Sequence, residues 1–419
     1  MASIAILASA CSSSSKSSSS APTSSSSAPT GSSRAPAGSS GGKTYTIGVL
    51  TDLTGVASSA EMTTPLGVKA GVGLANSEGY HIKYVVVDAG STPSGALAGA
   101  ERLVDEDHVF AVIAVSGLTF AAAPFLAAHG IPVIGSATDG TEWISDRNMF
   151  SVFGTEDYTK VNTTAGLIFK KLGATNLAVL GYGIVPSAAE SAKGDAVSAE
   201  LAGLKVGYLN ANFPFGSTNV QPVVLAMKSA GTDGYTGSVE ENTSFAVIEA
   251  LRQEGVPLKA AVVAVGYGAD LVQAGAGAEQ AAQGVYFTVS YEPVEMHTAA
   301  TERLQNALST YAGVSGDPSL NEYIGFASVD GFITGLKAAG SNPTQASLIN
   351  AMLGIRSYNA AGLYGSHSIG FAMDQRGQVA GADNCIWLVQ YSGSTFHLVA
   401  GADPICGTNV PGKTVSGSS

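Results

Sequence analysis

From Tyr45 onward the chain alternates short apolar runs with stretches whose apolar positions recur at helical spacing. Tyr45–Leu50 (YTIGVL) predicts a strand closed by Thr51-Asp52, and Pro65–Ser77 (PLGVKAGVGLANS) then predicts a helix. His81–Asp88 predicts a second strand ending in an acid. Ser94–Glu106 predicts a helix with Leu97, Leu103 and Val104 on one side, opened by the capping cluster Ser91-Thr92-Pro93. Phe110–Val115 (FAVIAV) is a third strand, followed by Ser116-Gly117 and a helix over Phe120–His129, and Ile131–Gly135 is a fourth. The alternation then restarts. Helices are expected over Lys160–Leu172, Ser187–Leu201, Val220–Ser229 and Phe245–Glu254, with strands at Leu177–Leu180, Lys205–Leu209, Gly234–Val239 and Ala261–Val265 between and after them. Val285–Ser290 (VYFTVS) reads as a crossing strand leading back to the first set. Further helices cover Ala299–Ala312 and Ile324–Ala339, and a hairpin of Ile386–Tyr391 and Thr395–Ala400 around Ser-Gly-Ser closes the pattern. Strands alternating with helices call for parallel sheets covered on both faces, so the fold class is α/β with two successive lobes. No repeat of the solenoid kind is evident.

Composition narrows the function. The chain has 419 residues, 45% hydrophobic and 12% charged, with 52 glycines, which excludes global disorder. Lys+Arg number 20 against Asp+Glu 32, a net charge of −12 that repels phosphate backbones and argues against nucleic-acid binding. No run of about 18 strongly apolar residues is present to span a membrane.

The N-terminus has its own chemistry. Met1–Ala10 (MASIAILASA) is a short apolar run ending in small residues before Cys11, similar to the end of a bacterial lipoprotein signal peptide whose cysteine becomes lipidated. It departs from that pattern in having no Lys or Arg ahead of the run and in placing Ala8 where a larger aliphatic residue is usual, as though a basic upstream segment were missing; the other reading is an ordinary apolar N-terminus. Residues 1–11 are thus expected to be a signal remnant. Residues 12–42, almost wholly Ser, Ala, Pro, Thr and Gly, are expected to be a flexible tether. One lipidated cysteine on a tether holds a folded domain at a membrane without spanning it. Cys385 and Cys406 flank the closing hairpin and are expected to form a disulfide in an oxidising compartment, the alternative being two free buried thiols; no Cys-x-x-Cys pair points to zinc or redox chemistry.

The order of segments resembles the type I periplasmic binding proteins, in particular the branched-chain amino acid (Leu/Ile/Val-type) receptors of ABC transporters. The resemblance covers Tyr45 to about Val399. It rests on the opening strand with Leu53-Thr54-Gly55, on Leu66-Gly67 and Leu74-Ala75-Asn76, on Asp88 followed by Pro93-x-x-Ala96 (with Thr92 where an acid is common), and above all on His129-Gly-Ile-Pro-Val-Ile134 followed by Ser136-Ala137-Thr138. It implies a Venus-flytrap receptor: two Rossmann-like lobes joined by a three-strand hinge close on a small solute, which a membrane permease then takes. The expected boundaries are 44–154 for lobe 1, 155–289 for lobe 2, 290–370 for a return to lobe 1, 371–407 for a return to lobe 2 with the hairpin, and 408–419 for a disordered tail. The crossings fall near Phe153-Gly154, Ser290 and Gly370. A monomer is expected.

The same resemblance nominates binding residues, and strand-end physics supports them: in parallel sheets ligands bind at the carboxyl ends of strands. Ser116 matches a hydroxyl that contacts the ligand carboxylate, and Gly117 lets the backbone approach; a plain helix cap is the alternative. Ala137, Thr138 and Asp139 match the segment that offers a carbonyl and a hydroxyl to the ligand's ammonium and carboxylate, with Asp139 where the simplest register puts a threonine. Glu61 borders the cleft ahead of the first helix, and Tyr182 walls the second lobe. Glu240 stands where the family often has an aromatic, with Glu241 its near rival, and Tyr267 stands near the family's acidic partner for the ammonium. These two chemistries look exchanged, which leaves the identity of the ligand open among amino acids, amides and small aromatic acids.

Catalytic readings are weak. Gly71-Val-Gly73 and Gly181-Tyr-Gly183 do not complete a dinucleotide fingerprint. Gly407–Thr414 (GTNVPGKT) spells a P-loop but lacks strand–loop–helix context, and Gly38–Gly42 spells G-x-S-x-G within the tether. His81, His108, His129, His297, His367 and His397 are scattered without zinc spacing. The expectation is therefore an extracytoplasmic solute-binding lipoprotein of an ABC importer, not an enzyme, with no cofactor and no metal, capturing a small amino acid or related carboxylate. The alternatives are a ligand-sensing module of a signalling system, which shares the fold, and a secreted α/β hydrolase.

Overall fold

The computed structural model describes residues 42–154, 157–377, 381–399, 401 and 403–416. Cys11 and residues 12–41 of the tether lie outside the described residues, as does most of Gly38–Gly42. The first lobe is a sheet of five parallel strands, β1 (Tyr45–Thr51), β2 (Ile82–Asp88), β3 (Ala111–Val115), β4 (Val133–Gly135) and β5 (Met149–Ser151), in the order β2-β1-β3-β4-β5. After β6 (Lys160–Asn162), the second lobe is built on β7 (Asn176–Tyr182), β8 (Lys205–Phe213), β9 (Gly234–Ser238), β10 (Ala260–Val263), β11 (Tyr286–Val289), β12 (Cys385–Ser392) and β13 (Thr395–Leu398), in the order β13-β12-β11-β10-β9-β7-β8. β12 runs antiparallel to both β11 and β13, and β14 (Ile405–Cys406) pairs with β12 beside the Cys385–Cys406 disulfide. The chain is thus α/β with parallel-sheet lobes.

Burial explains the patterns. β3 (AVIAV) is buried at every position because helices cover both its faces, whereas β8 alternates along its length as a sheet edge does. The helix Leu320–Ala339 returns the chain to the first lobe. It starts at a capping box of Ser319 and Glu322 and packs on helix Thr64–Ser77. The contact is close because Gly67 lies under the Glu322 carbonyl and Gly71 under Val329, positions with no room for a Cβ. No helix among the described residues is long and apolar enough to cross a membrane.

Three expectations need correction. Residues 286–289 are not a crossing strand: β11 is interior to the second sheet, with Phe287 and Val289 fully buried, and the chain leaves the lobe only after it. Lys160–Asn162 is strand, and the helix begins at Thr164, whose N–H is capped by Asn162 Oδ1 at 2.9 Å. The partner of that strand is β15 (Asn409–Thr414), antiparallel to it, so these six residues are a paired strand where a disordered tail was expected. The same pairing places most of the GTNVPGKT letters in an irregular strand, with no helix after it among the described residues to complete a phosphate loop.

At the first crossing the Val152 carbonyl accepts the hydroxyls of Tyr291 (2.6 Å) and Tyr364. Tyr291 stacks between Tyr323 and Tyr364. The lobes also meet across the cleft: Ser187 Oγ donates to the Thr138 carbonyl at 2.6 Å, and the Ser187 N–H to the Asp139 carbonyl at 3.2 Å.

Candidate ligand-binding cleft

The strand ends of both lobes face one cavity of about 900 Å³, its open mouth included. Parallel pairing sets the first lobe's side. β1 and β3 are neighbours with Thr51 opposite Val115, so Asp52 and Ser116 emerge together at their carboxyl ends. Ser116 Oγ donates to Asp52 Oδ2 at 2.8 Å and accepts the Leu118 N–H at 3.1 Å, while Asp52 Oδ1 takes the Ser91 N–H. The short helix Ser58–Glu61 brings Glu61 over the same edge, where its Oε1 accepts the Gly117 N–H at 3.0 Å. Glu61 Oε2 receives no N–H or O–H from the rest of the protein, although the residue is only 7% exposed, and the Glu61 carboxyl lies within hydrogen-bond reach of the Asp52 carboxylate. After β4, Ser136 Oγ is fully buried on the cavity wall and is likewise without a partner.

The second lobe supplies the facing wall. Tyr182, at the end of β7, packs edge-on against Phe215; its hydroxyl bonds Thr243 Oγ1 at 2.7 Å and receives the Glu240 N–H at 3.2 Å. Burial, with Glu240 nearby, pushes the Tyr182 phenol up to about 12. Glu240 immediately precedes the helix Glu241–Gln253 and looks into the cavity. Apolar side chains, among them Val115, Val185, Leu320 and Ile324, make up much of the rest.

Carboxylates dominate the electrostatics. Burial, then Asp52, then Glu240 hold Glu61 well above the usual carboxylate range, while burial and Asp52 push Glu240 up to about 8. Behind the cavity, burial and Glu240 put Glu241 at about 8, and burial with Glu241 and Glu322 raises Asp270 as well. No Lys, Arg or His is among the described residues that line the cavity.

A family model described as periplasmic binding protein matches residues 44–395. The chain belongs to the periplasmic binding protein family. No curated protein matches it by sequence. Among solved structures, the chain is similar to a leucine binding protein from Thermotoga maritima (17% identity, 86% of this chain and 99% of that one, TM-score 0.69). It is also similar to a branched chain amino acid ABC transporter protein from Thermus thermophilus with bound valine (17%, 87% and 97%, TM-score 0.69). A third similar structure is a solute binding protein from R. palustris in complex with benzoate (16%, 89% and 99%, TM-score 0.70). At these identities the likeness carries the fold alone.

Within this periplasmic binding protein the nominated residues separate. Glu61, Gly117, Thr138, Tyr182 and Glu240 line the one cavity. Ser116 sits just behind it with its proton committed to Asp52. Ala137 is buried behind it, its N–H on Ser151 Oγ at 3.2 Å. Asp139 is fully buried and has no free oxygen for a ligand, since Phe120 N–H and Trp143 Nε1–H take one each at 2.5 and 2.6 Å. Tyr267 is also a core residue, donating to Glu295 Oε2 at 2.7 Å against Phe396. Glu241 is buried outside the lining. Sequence reasoning missed Asp52, Ser136 and Asn321. The first was within reach, since it directly follows the first strand at its carboxyl end.

Proposed function

We propose that this chain is the extracytoplasmic receptor of an ABC importer, held at the membrane through a lipidated Cys11, and that it captures a small organic solute in the cleft by ligand-stabilised closure before a permease takes it. The observation that carries the reading is a single cavity whose walls come from strand ends of both lobes, Glu61, Gly117 and Thr138 on one side and Tyr182 and Glu240 on the other. Such a site is complete only when the lobes meet, so ligand binding and closure are one equilibrium. Of the lining hydroxyls, Ser187 bonds the Thr138 carbonyl and Ser238 bonds Ser191.

Small-angle scattering of the protein, titrated with amines, amino acids and small aromatic acids, tests this. Closure predicts a smaller radius of gyration on saturation with the compound that binds. A particle whose scattering no compound alters would refute it. Membrane attachment is tested separately by fractionating cells that express Cys11→Ser, which should release the protein from the membrane fraction.

A further inference from the structure

The polar groups of the cleft do not suit a ligand carboxylate. The Gly117 N–H, a donor placed to hold one, is already taken by Glu61 Oε1, and the Ser116 hydroxyl has given its proton to Asp52. A carboxylate entering here would reach a backbone N–H only by displacing Glu61, and even on the Ser136 hydroxyl it would sit among Asp52, Glu61 and Glu240 with no cation in the described lining. Acceptor capacity, by contrast, is concentrated here. Glu61 Oε2 receives no N–H or O–H from the protein and lies against the Asp52 carboxylate, and Ser136 Oγ, on a different strand end and fully buried, faces the same cavity as a hydroxyl without a partner, able to accept as well as to donate. Buried polar atoms left in that state cost free energy that a ligand's N–H would recover.

Size narrows the donor. Among the described residues, the one trio of metal-type ligand atoms lying close together is His367, Cys385 and Cys406, and its two sulfurs are bonded to each other. The cleft carboxylates are therefore spread more widely than a bare ion would gather, over walls that mix Val, Leu, Ile and aromatic side chains with Asn321 and several serines.

Resting on the receptor reading above, we propose that the ligand is a protonated organic amine with an apolar body and no carboxylate, its ammonium held between Glu61 and Glu240 with Asp52 behind and its body along Tyr182, Val185 and Leu320. Tyr182 presents a ring to the cation from the second lobe. The ammonium also resolves the protonation state of the site. Burial and repulsion from Asp52 favour the acid forms of Glu61 and Glu240, and a cation between them favours the carboxylates. The groups that act on Glu61 are Asp52 from the β1 end and Glu240 from the second lobe, and the second-lobe helices packed near its own carry Glu241 and Asp270, all acids.

The test is calorimetry on the full chain with matched pairs: isobutylamine against L-valine, isoamylamine against L-leucine, benzylamine against benzoate. The expected result is that each amine that binds does so at least tenfold more tightly than its carboxylate counterpart. Its affinity should rise from pH 6 to pH 8, and Glu61→Gln and Glu240→Gln should each lower it tenfold or more. Both variants remove a buried acid, so they should melt no lower than the parent chain; a melting scan checks that loss of binding is not loss of fold. Preferential binding of an amino acid or of benzoate, with closure seen by scattering, overturns this inference and leaves the receptor reading standing. Absence of binding and of closure for every compound overturns both.

Discussion

Glu241→Gln isolates the cost of burying an acid in this fold without touching the cavity wall. Glu241 is 1% exposed, and its Oε2 has no partner. Burial, then the neighbouring Glu240, raises its carboxyl from 4.5 to about 8. An acid whose folded pKa is raised binds its proton more tightly in the folded state. Its contribution is therefore fully present below pH 4.5 and is lost progressively as pH rises to about 8. One pKa unit corresponds to about 1.4 kcal/mol, so by pH 8 this group alone costs roughly 4 kcal/mol relative to acid conditions. The isosteric amide has no such titration. Melting midpoints of the two proteins should coincide near pH 4.5 and diverge as pH rises, with the variant higher by about 5 °C at pH 8, given the roughly 2 cal/mol/K per residue of unfolding entropy expected over a chain this long. Parallel curves for the two proteins from pH 4.5 to pH 8.5 would show that Glu241 is not a buried acid of raised pKa, and the electrostatic account of the lobe interface would fail with it.

Other perturbations probe the frame around the cleft. Gly67→Val drives a side chain into the Glu322 carbonyl where the two first-lobe helices touch, so a loss of about 3 kcal/mol or more is expected in chemical denaturation. Replacing both Cys385 and Cys406 by serine removes a cross-link across 21 residues, worth about 3 kcal/mol on the loop-entropy scale; reducing agent should lower the midpoint of the parent chain and leave the double variant unaffected. Truncation after Gly407 deletes β15 and should expose the β6 backbone, which hydrogen exchange at Lys160–Asn162 would report as lost protection.

Much of the architecture was open to reading because it is local. Alternating apolar runs and amphipathic stretches give β1 to β5 and the helices between them, and the carboxyl-end rule then puts Gly117, Thr138, Tyr182 and Glu240 at one cleft. The same rule fails one residue away. Thr138 lines the cavity, yet Asp139 turns inward to Trp143 and Phe120, a choice set by a short helix just downstream whose indole needed an acceptor. Tyr267 goes into the core for the same kind of reason, since Glu295 and Phe396 are brought to it from distant parts of the chain. The strand Lys160–Asn162 carries no strand signal of its own; it becomes one through residues some 250 positions later, and no window of sequence contains both.

The acids are the part least visible in the sequence, and they bear most on how the molecule works. A net charge of −12 on a long chain suggests carboxylates scattered in solvent. Folding instead sets Asp52, Glu61 and Glu322 on one lobe against Glu240, Glu241 and Asp270 on the other, with repulsion running between the two sets. Burial and that repulsion favour the protonated, neutral forms, so the conflict between the two sets is relieved by proton uptake. In the receptor proposed above, a ligand favours a closed form only by interacting better with it than with an open one. On that proposal an anionic guest meets acids that resist a further negative charge, a neutral guest leaves them protonated, and a cation lets them ionise and gains their attraction. The acids would then select for charge through the closing equilibrium as well as through direct contact.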